Sequence, residues 1–257
     1  MATVVAEGAA DVLSKAIAPT LDWTDMKRSE HFIQFYESDS HIVNSVAEYI
    51  IHGLQHREVC IIAATDEHLK AIEQIITGFD VDLGLMKRTG RYIPLSADET
   101  LNKFMVNGMP DARRFDEVLG PVIKNALSGR LKVRVFGEMV AVLLAAGNSK
   151  GCMRLESLWN DLVREQAFSL FCAYPMDHFT GAEGRETMKN VCCSHGRVIP
   201  DETYTAISSA DERLRMIASL QQRTKQLTAE LAELERSIAT MAARDNLASV
   251  NTQTCGK

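Results

Sequence analysis

The sequence has little that would draw it to nucleic acid or lipid. It holds no run of basic residues, and a formal charge of −6 with a pI of about 5.7 gives a phosphate backbone nothing to attract. No apolar stretch reaches the roughly 18 residues that a spanning helix requires. The opening segment, Met1 to Pro19, carries one lysine and no continuous apolar core, so no export signal is expected and the expected location is cytoplasmic. Residues 1–30 are too few for an independent helix-turn-helix head, so no direct contact with DNA is expected.

Patterns that carry chemistry are also missing. The six cysteines (Cys60, Cys152, Cys172, Cys192, Cys193 and Cys255) form no C-x-x-C pair. Cys60 and Cys172 lie inside apolar runs, where cysteine behaves as a small buried hydrophobe. Without an export signal, reduced thiols are the default. Cys192 and Cys193 stand near His195, but adjacent cysteines are poorly placed to chelate one tetrahedral ion together, and no second cluster has zinc spacing. The Ser, His and Asp residues are scattered, and no G-x-S-x-G elbow occurs. No metal, cofactor or catalytic residue is expected, and the chain is not expected to be an enzyme.

What the chain does have is 46% hydrophobic residues over 257 positions, enough for one sizeable α/β core with an appendage. A short helix at about Ala6–Ile17 and a proline-containing linker fill residues 1–22. From residue 23 to 204, short apolar runs alternate with amphipathic stretches. HFIQFY (His31–Tyr36), VCIIAA (Val59–Ala64), LKVRVF (Leu131–Phe136) and FSLFCA (Phe168–Ala173) read as buried strands, with a shorter one at Arg91–Leu95. Helices are expected at Ile42–Leu54, Glu67–Thr77, Asp98–Phe104, Arg113–Leu127, Met139–Ala146, Lys150–Glu165 and Glu183–His195. Trp159 falls on the core stripe of its helix. This order specifies an α/β fold: a mainly parallel sheet flanked by helices on both faces. Ligands in such folds bind outside the carboxyl ends of the strands.

Residues 211–245 are different. From Asp211 to Arg244 there is no Gly or Pro, and Ile217, Leu220, Thr224, Leu227, Leu231, Leu234, Ile238 and Met241 are spaced alternately 3 and 4 apart. That is a heptad seam, with mostly β-branched residues at one core position (Ile217, Thr224, Leu231, Ile238) and mostly Leu at the other, as in parallel two-stranded coils. An amphipathic helix folded back on its own domain would show a wider stripe. Glu230 would face Glu235 of a parallel partner, a weak like-charge cost. Residues 246–257 are polar and read as a flexible tail.

The turn after the first strand is Tyr36-Glu37-Ser38-Asp39-Ser40-His41. A phosphate-binding loop at this place would hold G-x-x-x-x-G-K-[ST], with glycines for close approach and Lys for charge. Here Gly and Lys are absent and two carboxylates are added, so ordinary ATP or GTP hydrolysis is not expected. HFIQFY, Tyr49-Ile-Ile-His-Gly-Leu54, Gly90-Arg-Tyr92, Phe104-Met105 with Gly108-Met-Pro-Asp111, Arg114-Phe115, Arg134-Val-Phe-Gly-Glu-Met-Val-Ala141, Leu155-Glu-Ser-Leu-Trp-Asn160 and Cys172-Ala-Tyr-Pro175 occur in that order. Together they resemble the MEDS family, the methanogen/methylotroph DcmR sensory domain, from about Trp23 to Tyr204. The resemblance implies a RecA/KaiC-like fold with a degenerate phosphate loop, and sensing of a small hydrocarbon-type ligand. It also implies a link to histidine kinases, whose connector the segment His195–Pro200 resembles. No kinase follows here, so output is expected through a partner or the chain's own dimer.

Five residues are candidates for the ligand site. Tyr36 and Glu37 follow the first strand, and His41 either caps the next helix or lines the same pocket. Glu138 follows LKVRVF; it either meets a ligand or acts as a base, or it caps a neighbour or pairs with Arg134 or Arg154. Tyr174 follows FSLFCA and could wall the cleft. The reading is a non-enzymatic sensory module that binds a small apolar ligand and signals through a coiled-coil homodimer or a partner kinase. Two others stay open: an atypical nucleotide-binding protein with weak or no ATPase activity, and a coiled-coil adaptor without a ligand.

Overall fold

A computed structural model describes residues 29–254, with side chains placed as far as Ala242. The helix and linker expected over residues 1–22 lie outside the described residues. Residues up to Ala206 belong to one compact unit and those from Ile207 to another. The first unit opens with β1 (His31–Tyr36), buried at every position, and α1 (Asp39–Gln55). Then come β2 (Val59–Ala64) and α2 (Asp66–Thr77), which begins where the Thr65 hydroxyl accepts the His68 amide at 3.4 Å. A short α3 (Leu83–Arg88), capped by Asp82, leads to β3 (Tyr92–Ser96) and α4 (Ala97–Phe104).

A small hairpin of β4 (Met105–Val106) and β5 (Met109–Pro110) follows. It turns on Asn107 and Gly108, both at positive φ (51° and 78°), the residue pair a tight hairpin turn requires. Next come α5 (Ala112–Ser128), β6 (Val133–Gly137), α6 (Met139–Ala145) and α7 (Ser149–Glu165). The unit ends with β7 (Ser169–Pro175), a 3-10 turn (Met176–His178), α8 (Gly181–Ser194), β8 (Arg197–Ile199) and α9 (Glu202–Thr205).

Six strands form one sheet in the order β3-β2-β6-β7-β1-β8, with every pairing parallel. Period-two alternation divides its side chains between two cores. Ile33, Phe35, Ile61, Val135, Leu170, Cys172 and Tyr174 pack with Phe115, Leu155 and Trp159 on one face. Phe32, Tyr36, Cys60, Ile62, Phe136 and Phe171 pack with Ile42, Val46, Tyr49 and Ile50 of α1 on the other. The α/β parallel sheet expected from the alternation is the observed fold. The short elements α3, β4, β5, the 3-10 turn, β8 and α9 were not expected from the sequence. Each is too short for a hydrophobic period to register.

One buried ion pair ties the second face together. The Arg134 guanidinium on β6 bonds the Glu58 carboxylate, reaches His52 Nδ1 at 3.0 Å and lies 4.9 Å over the Tyr49 ring. Arg134 therefore answers Glu58 and not Glu138, as had been one expectation. Gly53 on α1 makes room for it: a Cβ there would meet Cys60 Sγ at 2.7 Å and Arg134 Cδ at 3.0 Å.

The second unit holds α10 (Ala210–Thr254), which is helical through nine residues (246–254) expected to be tail, because no Gly or Pro interrupts it. Leu220, Leu227, Leu231, Leu234, Ile238 and Met241 are exposed by 47–61%, and Ile217 is half-buried. Thr224 turns its hydroxyl back to the Leu220 carbonyl at 2.8 Å. Among the described residues no helix is long and apolar enough to cross a membrane.

Gly53→Ala should destabilise the protein by about 1–3 kcal/mol through overpacking, although Gly→Ala in a helix by itself gains about 1 kcal/mol. Urea unfolding measures it. In a Cys60→Ala background the loss should shrink, and an unchanged loss would rule out the Cys60 contact as its cause.

Candidate functional site

The carboxyl edge of the sheet carries three of the five expected residues. Tyr36 ends β1 and is buried. Burial pushes its phenol above the ordinary range, and the carboxylates of Glu138, Asp39 and Asp177 push it further, so the hydroxyl stays protonated. Glu138 sits between β6 and α6 with its carboxylate already engaged. It accepts the Thr65 amide at 2.8 Å and meets His68 Nδ1 at 2.6 Å. It thus closes the amino end of α2, one of the roles expected for it. The bond to Glu138 raises His68 above its ordinary value against the opposing effect of burial. Asp39 approaches the same ring at 3.8 Å.

Glu37 contributes its backbone. The amides of Glu37 and Ser38 hold the two oxygens of the Glu202 carboxylate at 3.0 and 2.8 Å, and the Ser38 hydroxyl adds a third bond at 2.7 Å. Successive amides at a helix amino end make an anion seat. Here the anion is the chain's own side chain, from α9. Burial pushes the Glu202 carboxyl up, but the bonds from the Glu37 amide, its own amide and the Ser38 hydroxyl and amide outweigh it and bring it down to about 2.

The other two expected residues point elsewhere. His41 Nε2 bonds Gln34 Nε2 at 2.9 Å, within a small polar contact that includes Ser45. Tyr174 lies on the opposite face from Tyr36, because β1 pairs Phe35 with Tyr174 and Tyr36 with Pro175. Its hydroxyl donates to Glu156 Oε1 and lies 3.4 Å from Cys152 Sγ.

Glu156 belongs to a buried polar centre beneath β1 and β7. Its carboxylate is 0% exposed on α7. His31 Nε2 lies 3.5 Å and His195 Nε2 3.3 Å from Glu156 Oε2, and Cys172 Sγ lies 3.3 Å from His31 Nε2. Burial lowers His31 to about 4. Burial alone would raise Glu156; the His195 and His31 rings and the Tyr174 hydroxyl outweigh it and hold it below the ordinary carboxylate range. A cavity of about 690 Å³ opens beside this centre, at the amino end of β1, lined by Glu30, His31, Met153, Glu156, Ser157 and Asn160 among others.

None of His31, Glu156, Cys172 and His195 was singled out from the sequence as a ligand-site candidate. One signal was present: Cys152, Glu156 and Asn160 stand four apart on α7, which places a carboxylate on the face that buries Leu155 and Trp159. The set itself is set by topology, since His31 lies 129 residues from Asn160 and 141 from Cys172.

Comparison with known proteins bears on the family and the fold. The family described as the MEthanogen/methylotroph, DcmR Sensory domain (MEDS) matches residues 30–196. No curated protein matches the chain. Among solved structures, the fold is similar to an uncharacterised protein from Pyrococcus horikoshii in complex with an unknown peptide, with a TM-score of 0.55 and 11% identity over 70% of this chain and 80% of that one. A KaiC-like protein from the same organism aligns with a TM-score of 0.47 and 13% identity, covering 68% of this chain and 73% of that one. The chain belongs to the MEDS family.

Because Glu202 is held at about 2, below the ordinary 4.5, its contact contributes stability above pH 4.5 that fades as pH falls toward 2. The amide proton shifts of Glu37 and Ser38, followed by NMR, should titrate with a midpoint near pH 2 and stop titrating in Glu202→Gln. A midpoint at the ordinary carboxyl value would discount the seat.

Proposed function

We propose that this member of the MEDS family is a non-enzymatic sensory module that holds a small ligand and passes its state on through a paired helix. The observation that carries the reading is the Glu202 carboxylate in the anion seat after β1. A nucleotide triphosphate needs that seat and a lysine beside it. Here the seat is filled, no lysine stands in the turn, and Glu37 and Asp39 add like charge. These features argue against the atypical nucleotide-binding alternative.

The ligand in this reading sits in the cavity between β1 and α7, and not at the carboxyl edge where Glu138 is engaged. Met153 and Val163 offer it apolar contact, and Ser157 and Asn160 offer polar partners. Ser194 and Gly196 line the same cavity and lie just before β8, so a ligand there bears on the strand that leads to α9 and Glu202. The exposed seam of α10 suits pairing with a second copy or with the equivalent helix of a kinase.

The protein as isolated, weighed by native mass spectrometry, should carry a small organic adduct that is lost in Ser157→Trp, where the indole fills the cavity. A chain at its bare mass that binds Mg-ATP at micromolar concentration in calorimetry would overturn the reading. Light scattering at micromolar concentration should give twice the chain mass for the wild type and the single chain mass for Leu227→Lys with Leu234→Lys. A wild type that stays monomeric removes the homodimer.

A further inference from the structure

The four buried groups beneath β1 and β7 are given no role of their own in the function proposed above, although His31 and Glu156 line its cavity. We propose that His31, Glu156, Cys172 and His195 form a four-coordinate site for a divalent transition-metal ion of the zinc type. The donors come from separate places in the fold: the start of β1, α7, the middle of β7 and the residue after α8. Their ligand atoms all lie within 4.8 Å of one another.

The hydrogen bonds around the imidazoles decide which nitrogen faces inward. Asn160 Nδ2 donates to the Ser194 carbonyl at 3.3 Å, which turns its Oδ1 toward His31 Nδ1 at 2.9 Å. His31 Nδ1 is therefore the donor. His195 Nδ1 lies 2.7 Å from the Val191 carbonyl, which can only accept. When each ring is in its neutral form, as metal ligation requires, the proton is on Nδ1 and the Nε2 lone pair points at the centre. Two nitrogen lone pairs, a carboxylate oxygen and a sulfur then converge with little to hold them together. Glu156 Oε2 and His195 Nε2 are buried without a hydrogen-bond partner. A cation at the centre satisfies all four at once.

The spacing fits one. Zinc bonds of 2.0–2.3 Å make tetrahedron edges of about 3.3–3.7 Å. The separations of 3.5, 3.3 and 3.3 Å given by His31–Glu156, His195–Glu156 and His31–Cys172 lie in or near that range. The outer contacts fit as well. A ligating histidine gives its second N–H to an amide or carbonyl, and a ligating carboxylate is itself hydrogen-bonded. Asn160, the Val191 carbonyl and the Tyr174 hydroxyl supply these contacts.

Charge balances too. The Cys172 thiolate and the Glu156 carboxylate neutralise a divalent ion, so the buried centre carries no net charge. Coordination exchanges the Cys172 S–H bond for an S–metal bond and releases one proton to solvent. Mixed N, S and O donors in a tetrahedron select zinc or cobalt over magnesium or calcium. With four protein ligands no position is left for a reacting water, so the ion ties elements together and does not catalyse. His31 and Glu156 line the cavity, which is the entry path. The site adjoins the ligand cavity, but its test reads metal content and cobalt spectra, which do not require an organic molecule to be bound.

The full chain, purified without affinity tag or chelator, should carry about one equivalent of zinc or another first-row metal by mass spectrometry of the elements. Stripped and titrated with Co²⁺ under reducing conditions, it should show tetrahedral d–d bands and a sulfur-to-cobalt charge-transfer band. Cys172→Ser should lose the charge-transfer band, and Cys192→Ser with Cys193→Ser should keep it. Asn160→Ala should weaken binding about 10–100-fold. The site is overturned if the wild type, folded by circular dichroism, takes up no Co²⁺ or binds it without the sulfur band. It is also overturned if that band survives Cys172→Ser or disappears with Cys192 and Cys193. The wild-type and Cys192/Cys193 spectra decide even if Cys172→Ser fails to fold.

Discussion

A carboxylate sealed from water has to be answered by its surroundings, and Glu156 is sealed completely. Tyr174 answers one of its oxygens, and the rings of His31 and His195 face the other. These groups come from β7, from β1 and from the residue after α8, so three parts of the chain meet at one side chain of α7. The aromatic packing nearby follows the same geometry. Trp159, one turn beyond Glu156 on α7, packs edge-on to Phe115 at 5.2 Å, and Phe35 reaches both Tyr174 and Phe179. The polar centre and the apolar core on that face are therefore two parts of one arrangement.

A second carboxylate governs the far edge. Glu202 is the chain's own anion in a seat of backbone amides, and its element follows β8 after two residues. His195 and Glu202 thus bracket the last strand. One anchors the chain before β8 under the sheet, the other anchors it after β8 at the carboxyl edge. A three-residue strand with three paired positions on β1 is weak by itself, and these polar anchors hold it in register.

The inner strands are legible in the sequence because burial on both faces demands continuous apolar runs. HFIQFY, VCIIAA and FSLFCA stand out from their polar flanks for that reason. β8 does not, since Arg197-Val-Ile199 at a sheet edge has no such demand on both sides. For the site, strand ends can be read, so Tyr36, Glu37 and Glu138 were found at one edge. Facing cannot: Tyr174 stands one residue before the end of its strand and pairs with Phe35, one residue out of step with Tyr36, and only the register reveals it. The buried centre was beyond reach because no local period links His31 to Glu156, Cys172 and His195. Parallel crossovers bring them together, and the charge of Glu156 was the one residue-level hint.

The edge position of β8 also has a mechanical consequence. Its hydrogen bonds to β1 run side by side, and the chain leaves it at Pro200 toward Ala206. Tension on that exit, applied across the strand, would load the bonds singly, like a zipper drawn from one end. Tension along the strand would load them together. The resistance of β8 to a pull would then depend on its direction.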